Sequence, residues 1–302
     1  MTSHQPFAPF VIITPAHNEE ALIGKTITSM IAQLVRPIRW IIVADNSSDR
    51  TAQIVREHAA RHDFIKLVEY RRTGARSFGQ KARAFAAGVA AASPVDYAYI
   101  GNLDADITLD PDYFLRLLLE FDHAPDLGLA GGRVASLIDG EFVEQNIAPD
   151  SVAGAVQLFR RACFEEIGGY RALPEGGIDT AAEVMARMYG WQVRTLPSLR
   201  VHEHRRTGSA SAAPVAARFK EGARLHSLGY GLIFMCLRSL HHLPDPPRLI
   251  GSGASLAGYL RRQLSGSPPA IPADVVDFLR HEQQQKLVGA LKGLYVRHLR
   301  NI

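Results

Sequence analysis

Cysteine is nearly absent from this chain of 302 residues, which contains only Cys163 and Cys236. Two cysteines are too few for the disulfide framework of a small secreted domain, and each lies among apolar neighbours. The chain also lacks any apolar stretch close to the roughly 20 residues that a membrane-spanning helix needs. Residues 1–9 are polar and contain prolines, unlike a signal peptide. These absences favour a reduced, cytoplasmic setting.

A strong excess of one charge is also missing, because 34 lysines and arginines nearly balance 30 aspartates and glutamates. The charges are unevenly placed: residues 215–302 hold twelve basic against five acidic residues, whereas residues 1–214 hold 22 against 25. The basic tail predicts either contact with an anionic membrane surface or a solvated helical face. No basic stripe is interleaved with aromatic residues, which argues against a nucleic-acid partner.

Alternating hydrophobic periods in the first two thirds of the chain predict strands and helices in turn. We expect helix caps at Asn18, at Ser48 or Asp49, and at Asp110 before Pro111. This alternation indicates an α/β fold with a mainly parallel sheet and helices on both faces, in which ligands bind at the carboxyl ends of the strands. The predicted strands are 10–16, 39–44, 64–69, 97–103 and 127–137.

After Pro214 the pattern becomes helical throughout. One or two helices are predicted over 215–243, and further helices over 249–264 and 273–299. A Pro/Ser/Gly-rich linker lies between the last two helices, and the tail has no strand pattern. We therefore expect a helical extension over 214–302 and not a second catalytic domain.

Carboxylates and amides follow three of the predicted strands directly, in the segments TPAHNEE at 14–20, ADNSSD at 44–49 and NLDAD at 102–106. Asp104 and Asp106, spaced i, i+2 after a buried strand, can converge on one hard cation such as Mg²⁺ or Mn²⁺. In each segment alone, helix capping or a solvated turn is the commoner role of such residues. Their occurrence in order, at successive strand ends, is what predicts a site.

Together these segments resemble the family 2 glycosyltransferases, which have the GT-A fold. The resemblance covers about residues 9–210. It implies an inverting transfer of a sugar from a nucleotide-diphosphate donor, a UDP-sugar first of all, with Mg²⁺ or Mn²⁺ as cofactor. It implies that Asp104 faces the ribose and the metal, and that Asp106 binds the metal directly. It also implies nucleoside contacts from Pro15, Ala16, Asn18, Glu19 and Asp45.

Three further segments gain a role from this resemblance. The basic, glycine-containing stretch 71–81 implies that Arg76 and Lys81 lie near the donor phosphates, although the asparagine common there in the family is missing. The aspartate of the family's Glu-Asp pair matches Asp179, here preceded by Ile178, and implies a general base for the acceptor hydroxyl. Asp179 would also serve as a plain helix N-cap.

Two of the site assignments have a second candidate. Glu183, one turn after Asp179, is the other candidate base. His202 and His204 point to the same side of a strand-like run, where some family members supply a metal ligand, and His204 is preferred. Arg205 and Arg206 would hold the diphosphate or face solvent.

The sequence therefore predicts a GT-A catalytic domain over 1–213, with donor binding about 9–110 and the acceptor and base region about 111–213. The expected activity is that of a hexosyltransferase, whose hydroxyl acceptor is a lipid-linked glycan or polysaccharide at the inner face of the cell membrane. One alternative is a nucleotidyltransferase that forms sugar nucleotides, although no glycine follows the first strand before Gly24. The other is a non-catalytic nucleotide-sugar-binding module, which Ile178 supports.

Overall fold

The computed structural model describes residues 7–71, 79–205, 214–244 and 247–299. Arg76 and Arg206 consequently lie outside the described residues. Contacts within the chain divide it into two compact units, one formed by Met1–Pro174 with Ile178–Thr207 and the other by Glu175–Gly177 with Gly208–Ile302.

The described residues of the first unit form one sheet of nine strands with helices around it. The strands are β1 Phe10–Ala16, β2 Arg39–Asp45, β3 Ile65–Tyr70, β4 Tyr99–Leu103, β5 Ile107–Leu109, β6 Leu127–Ile138, β7 Glu141–Glu144, β8 Val156–Arg160 and β9 Gln192–Glu203. The helices are α1 Ile23–Ile31, α2 Thr51–Ala59, α3 Gly79–Ala92, α4 Tyr113–His123, α5 Arg161–Glu166 and α6 Ile178–Met188.

The strand order is β3-β2-β1-β4-β8-β6-β9-β5, with β7 paired to β6. The chain first moves outward from β1 through β2 to β3, then returns to place β4 on the other side of β1, and all four strands are parallel. Strand β8 is antiparallel to both β4 and β6. The carboxyl ends of β1 and β4 thus form the switch point at which ligands bind in such sheets.

Helices cover both faces of the sheet because successive residues of a strand point to opposite sides. Ile12 packs in the main core with Ile27 of α1 and Phe114 of α4. Its neighbour Ile13 faces α3, where the absence of a side chain at Gly88 lets the helix approach the strand closely. This arrangement confirms the predicted α/β fold class.

The second unit is helical. Its helices are α7 Pro214–Ser227, α8 Leu232–His241, α9 Ile250–Leu264 and α10 Ala273–Leu299. Helices α7 and α9 pack so closely that a Cβ atom at Gly222 or Gly258 would overlap a backbone carbonyl oxygen of the other helix. The predicted run 215–243 forms two helices. None of the described helices is both apolar enough and long enough to cross a membrane.

Some local predictions are corrected by the structure. Asn18 does not cap α1, which begins at Ile23; it adopts a left-handed φ of 55° and its Oδ1 accepts a hydrogen bond from the backbone N–H of Ser48 at 2.9 Å. Neither Ser48 nor Asp49 is the N-cap residue of α2, which is Arg50, although the Asp49 carboxylate accepts from the N–H of Thr51 at 3.0 Å just before the helix.

The sequence pattern does not predict the strands β5, β7 and β8, or the full length of β9. The β8 segment VQLFR is only five residues long and carries a buried glutamine in its interior, so it shows no clear period of two. Helix α4 begins at Tyr113, two residues after the predicted start at Pro111.

Candidate active site

The sheet opens between β1 and β4 at the switch point. Pairing between the two strands ends at Ile13 and Asn102, whereas β1 stays paired with β2 as far as Ala16. Pro15 lies beyond Ile13, the last residue of β1 that pairs with β4. The N–H group that proline lacks is therefore not needed for hydrogen bonding between β1 and β4. Pro15 and Ala16, the predicted nucleoside contacts, therefore line the end of β1 where its β4 side is free of strand pairing.

The loop after β1 is tied to the loop after β2. The ring nitrogen Nδ1 of His17 donates to the backbone oxygen of Asp45 at 2.6 Å, and the backbone N–H of Asn18 donates to Ser47 Oγ at 3.2 Å. Asp45 itself is buried. Two residues predicted to hold the nucleoside, Asn18 and Asp45, are thus brought to the same edge of the sheet.

Glu19 forms a two-pronged ion pair with Arg205, which follows β9. The Nη1 and Nη2 groups of Arg205 donate to the two carboxylate oxygens at 2.8 and 2.6 Å. The backbone N–H of Glu19 donates to Thr51 Oγ1 at 2.7 Å. Burial raises the pKa of Glu19 more than Arg205 lowers it. Of the two roles expected for Arg205, the structure shows neither directly, because its guanidinium is bound to Glu19.

Asp104 is held by a lysine and an amide. Its Oδ1 accepts from Lys81 Nζ at 2.6 Å and from Asn102 Nδ2 at 3.1 Å. Asn102 is only 2% exposed and also donates to the backbone oxygen of Gly154 at 2.7 Å. Burial lowers the pKa of Lys81, but Asp104 and two further aspartates, Asp179 and Asp106, raise it more, so Lys81 stays charged.

Asp106 lies in a region of excess negative charge. Burial raises its pKa to about 7, with further contributions from Asp104, Glu203 and Glu19 and an opposing one from Arg205. Glu203 is itself buried, and its Oε2 accepts from two polar side chains. Carboxylates gathered in this way favour a bound cation, since each one disfavours ionisation of the others.

His202 in β9 and His204, the residue that follows this strand, lie beside β5. The Nε2 of His204 is 2.9 Å from Thr108 Oγ1, and its backbone N–H donates to the backbone oxygen of Asp106 at 2.9 Å. Burial lowers the pKa of His204, helped by Lys25 and His202. Within the part of the chain that the structure describes, no three His, Cys, Asp or Glu side chains are grouped to hold a metal ion. Metal binding by His204 therefore stays a prediction.

Asp179 lies inside the first turn of α6, which begins at Ile178, and not at the cap. Its carboxylate sits against the backbone of Gly154, where any Cβ atom would overlap it. Gly154 is the residue whose carbonyl oxygen accepts from Asn102, the partner of Asp104. The side chain of Asn102 thus links two parts of the predicted site. It binds Asp104, which is predicted to face the metal, and it binds the loop of Gly154, against which Asp179 lies.

Glu183, the other candidate base, is 4% exposed and engaged in a buried network. It accepts hydrogen bonds from Ser151 Oγ at 2.7 Å, Val152 N–H at 2.9 Å and Gln157 Nε2 at 3.2 Å. Burial raises its pKa to about 8. Its contacts are those of a residue that fixes a loop.

Gln157 and Tyr170 belong to the same network and were missed by the sequence reasoning. The Tyr170 hydroxyl donates to Gln157 Oε1 at 2.5 Å, and burial raises the pKa of Tyr170 well above its usual range, with Asp179 adding to the shift. A glutamine within an otherwise apolar run was the one available signal for this network.

A family model supports the resemblance. The model described as glycosyl transferase family 2 matches residues 11–179, which is more than half of the chain. The chain belongs to glycosyl transferase family 2. Membership confirms the predicted family and the predicted class of enzyme, a glycosyltransferase.

Curated relatives in the family share part of this chain. A poly-beta-1,6-N-acetyl-D-glucosamine synthase of Staphylococcus epidermidis is 26% identical over 186 residues, covering 55% of this chain and 43% of the relative. The probable glycosyltransferase YdaM of Bacillus subtilis strain 168 is 47% identical over 60 residues, or 19% of this chain and 14% of that protein. The matched part of the chain thus spans less than half the length of these relatives.

Solved structures share the fold at low sequence identity. S. aureus TarS 1-349 in complex with UDP-GlcNAc has a TM-score of 0.53 and 16% identity, covering 85% of this chain and 73% of TarS. The mannosyltransferase PcManGT from Pyrobaculum calidifontis, in complex with GDP-Man and Mn²⁺, has a TM-score of 0.56 and 18% identity, covering 97% and 91%. These likenesses confirm the predicted GT-A architecture.

The buried carboxyl of Glu183 is expected to make folding depend on pH. Its pKa is 4.5 in an exposed setting and about 8 in the folded chain, so the folded state keeps a proton that the unfolded state loses. The stability that Glu183 contributes is therefore fully present below pH 4.5 and is lost as the pH rises towards 8. Urea unfolding of the wild type and of Glu183→Gln across this range measures the effect.

The glutamine variant cannot ionise, so its stability should fall less between pH 5 and pH 8 than that of the wild type. Glu69→Gln, at an exposed surface position, is the control and should follow the wild type. Identical pH profiles for Glu183→Gln and the wild type would contradict the shifted pKa.

Proposed function

We propose that the chain transfers a sugar from a nucleotide-diphosphate donor to a hydroxyl acceptor, with inversion at the anomeric carbon and with Mg²⁺ or Mn²⁺ as cofactor. The observation that carries this proposal is the excess of carboxylates around Asp104 and Asp106 at the switch point between β1 and β4. Membership of the family supports the transfer of a sugar. The complexes of TarS with UDP-GlcNAc and of PcManGT with GDP-Man and Mn²⁺ support the donor class and the metal.

The donor set fits a hard divalent cation. Asp104 uses Oδ1 for Lys81 and Asn102, so Oδ2 has no hydrogen bond to the described residues. The carboxylate of Asp106 is surrounded by other acids. Two carboxylates leave coordination positions for donor phosphates, as Mg²⁺ sites commonly do. A cation held by Asp104 and Asp106 would neutralise the charge of the diphosphate leaving group.

The chain's own residues supply the remaining steps. Lys81, charged and fixed on Asp104, adds positive charge beside the donor phosphates. Asp179 accepts the proton of the acceptor hydroxyl while that oxygen bonds to the anomeric carbon and the bond to the diphosphate breaks. Attack from the side opposite the leaving group inverts the anomeric configuration. Glu183 is less suited to this role because its oxygens are already occupied by three donors.

Uridine is the proposed base of the donor, and a lipid-linked glycan or polysaccharide is the proposed acceptor. The name of the S. epidermidis synthase supports a polysaccharide acceptor, and the UDP-GlcNAc complex of TarS supports uridine, whereas the GDP-Man complex of PcManGT supports a GDP-sugar as the alternative. The basic tail is proposed to rest on an anionic membrane at the cytoplasmic face. Co-sedimentation with phosphatidylglycerol vesicles that weakens with added salt would support membrane contact, and its absence would exclude it.

Removing the Asp106 carboxylate is expected to abolish metal-dependent nucleotide binding. Calorimetric titration of UDP, GDP and dTDP, with and without Mn²⁺, into the wild type and Asp106→Ala provides the measurement. We expect UDP to bind tightly only with Mn²⁺, and the variant to lose at least about tenfold in affinity. Asp63→Ala, at an exposed position just before β3 and thus at the opposite edge of the sheet from the site, should bind like the wild type. Failure of every nucleotide to bind would overturn the proposed donor site.

Replacing Asp179 by asparagine is expected to lower kcat by about 10²- to 10⁴-fold, because the acceptor hydroxyl loses its base. The Kd for UDP with Mn²⁺ should change little, since Asp179 is not assigned to donor binding. Glu183→Gln is the matched control on the same helix and should keep most of the activity. A wild type that binds the donor but neither hydrolyses nor transfers its sugar would instead indicate the non-catalytic binding module.

A further inference from the structure

The helical unit contains an open cavity of about 390 Å³ between α8, α9 and α10. This volume is in the range of sites for small ligands. Its walls are mainly apolar, and its polar side chains come from α9 and α10. The lining residues that the argument uses are Leu232, Ile233, Tyr259, Arg280, Gln283 and Leu287.

Gln283 on α10 is a buried amide with an unmet hydrogen bond. It is 4% exposed, and its Oε1 accepts from the backbone N–H of Gly231 at 3.0 Å. Its Nε2 is buried and has no hydrogen-bond partner among the described residues. Buried amide donors are nearly always paired in native structures. The unpaired nitrogen is covered by protein atoms, so it can donate to a ligand only when the side chain turns towards the cavity that Gln283 lines.

Arg280 supplies positive charge to the same cavity. Its Nε donates to the backbone oxygen of Gly229 at 3.0 Å, which fixes the side chain. Within the described parts of the chain, its guanidinium pairs with no carboxylate. A fixed guanidinium without an acidic partner suits a phosphate or carboxylate group, which accepts two parallel hydrogen bonds.

The mouth of the cavity is apolar and exposed. Leu232 is 45% exposed and Ile233 is 73% exposed at the start of α8, and both line the cavity. Leu237 and Leu240 continue the exposed apolar surface along the same helix. Exposed apolar residues that run into a cavity mark a surface that a hydrophobic ligand covers.

We propose that this cavity binds an amphiphile with one hydrocarbon chain and an anionic head group. The chain lies between Leu232, Leu287 and the ring of Tyr259, whose hydroxyl is already used to donate to the Tyr230 backbone oxygen at 2.6 Å. The head group accepts hydrogen bonds from Arg280, and from Gln283 once its amide turns towards the cavity. The charge of the lining helices suits an anion, because α8, α9 and α10 together contain seven lysines and arginines and three acidic residues. The proposal does not depend on the proposed sugar transfer.

Dodecyl phosphate, kept below its micelle-forming concentration, is the probe for this site. Calorimetric titration into the full chain, without nucleotide or metal, should show saturable binding of one molecule. Dodecanol lacks the charge and inorganic phosphate lacks the chain, so each should bind at least about tenfold more weakly. Equal binding of dodecanol, or no saturable binding of dodecyl phosphate, would overturn the proposal.

Two variants locate the binding. Arg280→Gln removes the charge, and Ile233→Glu places a carboxylate at the mouth; each should weaken dodecyl phosphate binding by about tenfold or more. Arg248→Gln and Leu264→Glu change exposed residues outside the cavity, and should stay within about twofold of the wild type. If the affinity for dodecyl phosphate is unchanged in both Arg280→Gln and Ile233→Glu, the assignment of binding to this cavity is wrong.

Vesicles of phosphatidylglycerol separate a free amphiphile from a bilayer surface. Monomeric dodecyl phosphate should compete with vesicle binding in the wild type and lose that effect in Arg280→Gln. Pelleting with vesicles combined with no binding of the monomer would overturn the cavity and indicate contact with the bilayer surface instead. Circular dichroism confirms that each variant is folded.

Discussion

Hydrogen bonding between β1 and β4 ends at Ile13 and Asn102, and the arrangement of the site depends on that ending. Beyond it the two strands no longer share a ladder, so the chain after each can turn outward and carry polar side chains. The reversal of strand order puts the exits of β1 and β4 side by side, which is why Glu19 and Asp104 influence each other's charge. A sheet with β4 placed elsewhere would scatter the same residues.

The carboxylates at this opening are kept close by groups that satisfy only part of their charge. Arg205 binds Glu19, and Lys81 binds Asp104, yet Asp106 is left among acids. Such crowding costs stability because the carboxylates repel one another, and the proposed cation site rests on this observation. Asn102 connects two parts of the site by hydrogen bonds, because its amide donates both to Asp104 and to the loop against which Asp179 lies.

Asp179 and Glu183 show how position on one helix separates two similar side chains. They lie four residues apart on α6, and the sequence offers both as carboxylates near the site. Glu183 points into the core network of Ser151, Val152 and Gln157, whereas Asp179 lies against the bare backbone of Gly154. The sequence could not separate them, because the partners that decide their environments come from strands and loops more than twenty residues away.

Local pattern by itself determined the first strands, most of the helices and the order of the motifs. Neighbouring residues are sufficient to identify these features, because the spacing of apolar residues indicates which face of an element is buried. The features are the apolar run 10–16, the segments TPAHNEE, ADNSSD and NLDAD, and the helical tail. Only the tertiary structure decided the rest. The pair of Glu19 with Arg205 joins residues 186 positions apart, and the cavity in the tail is assembled from three helices. Such contacts depend on how strands and helices pack against one another in three dimensions. The hydrophobic periodicity of neighbouring residues carries no information about that packing.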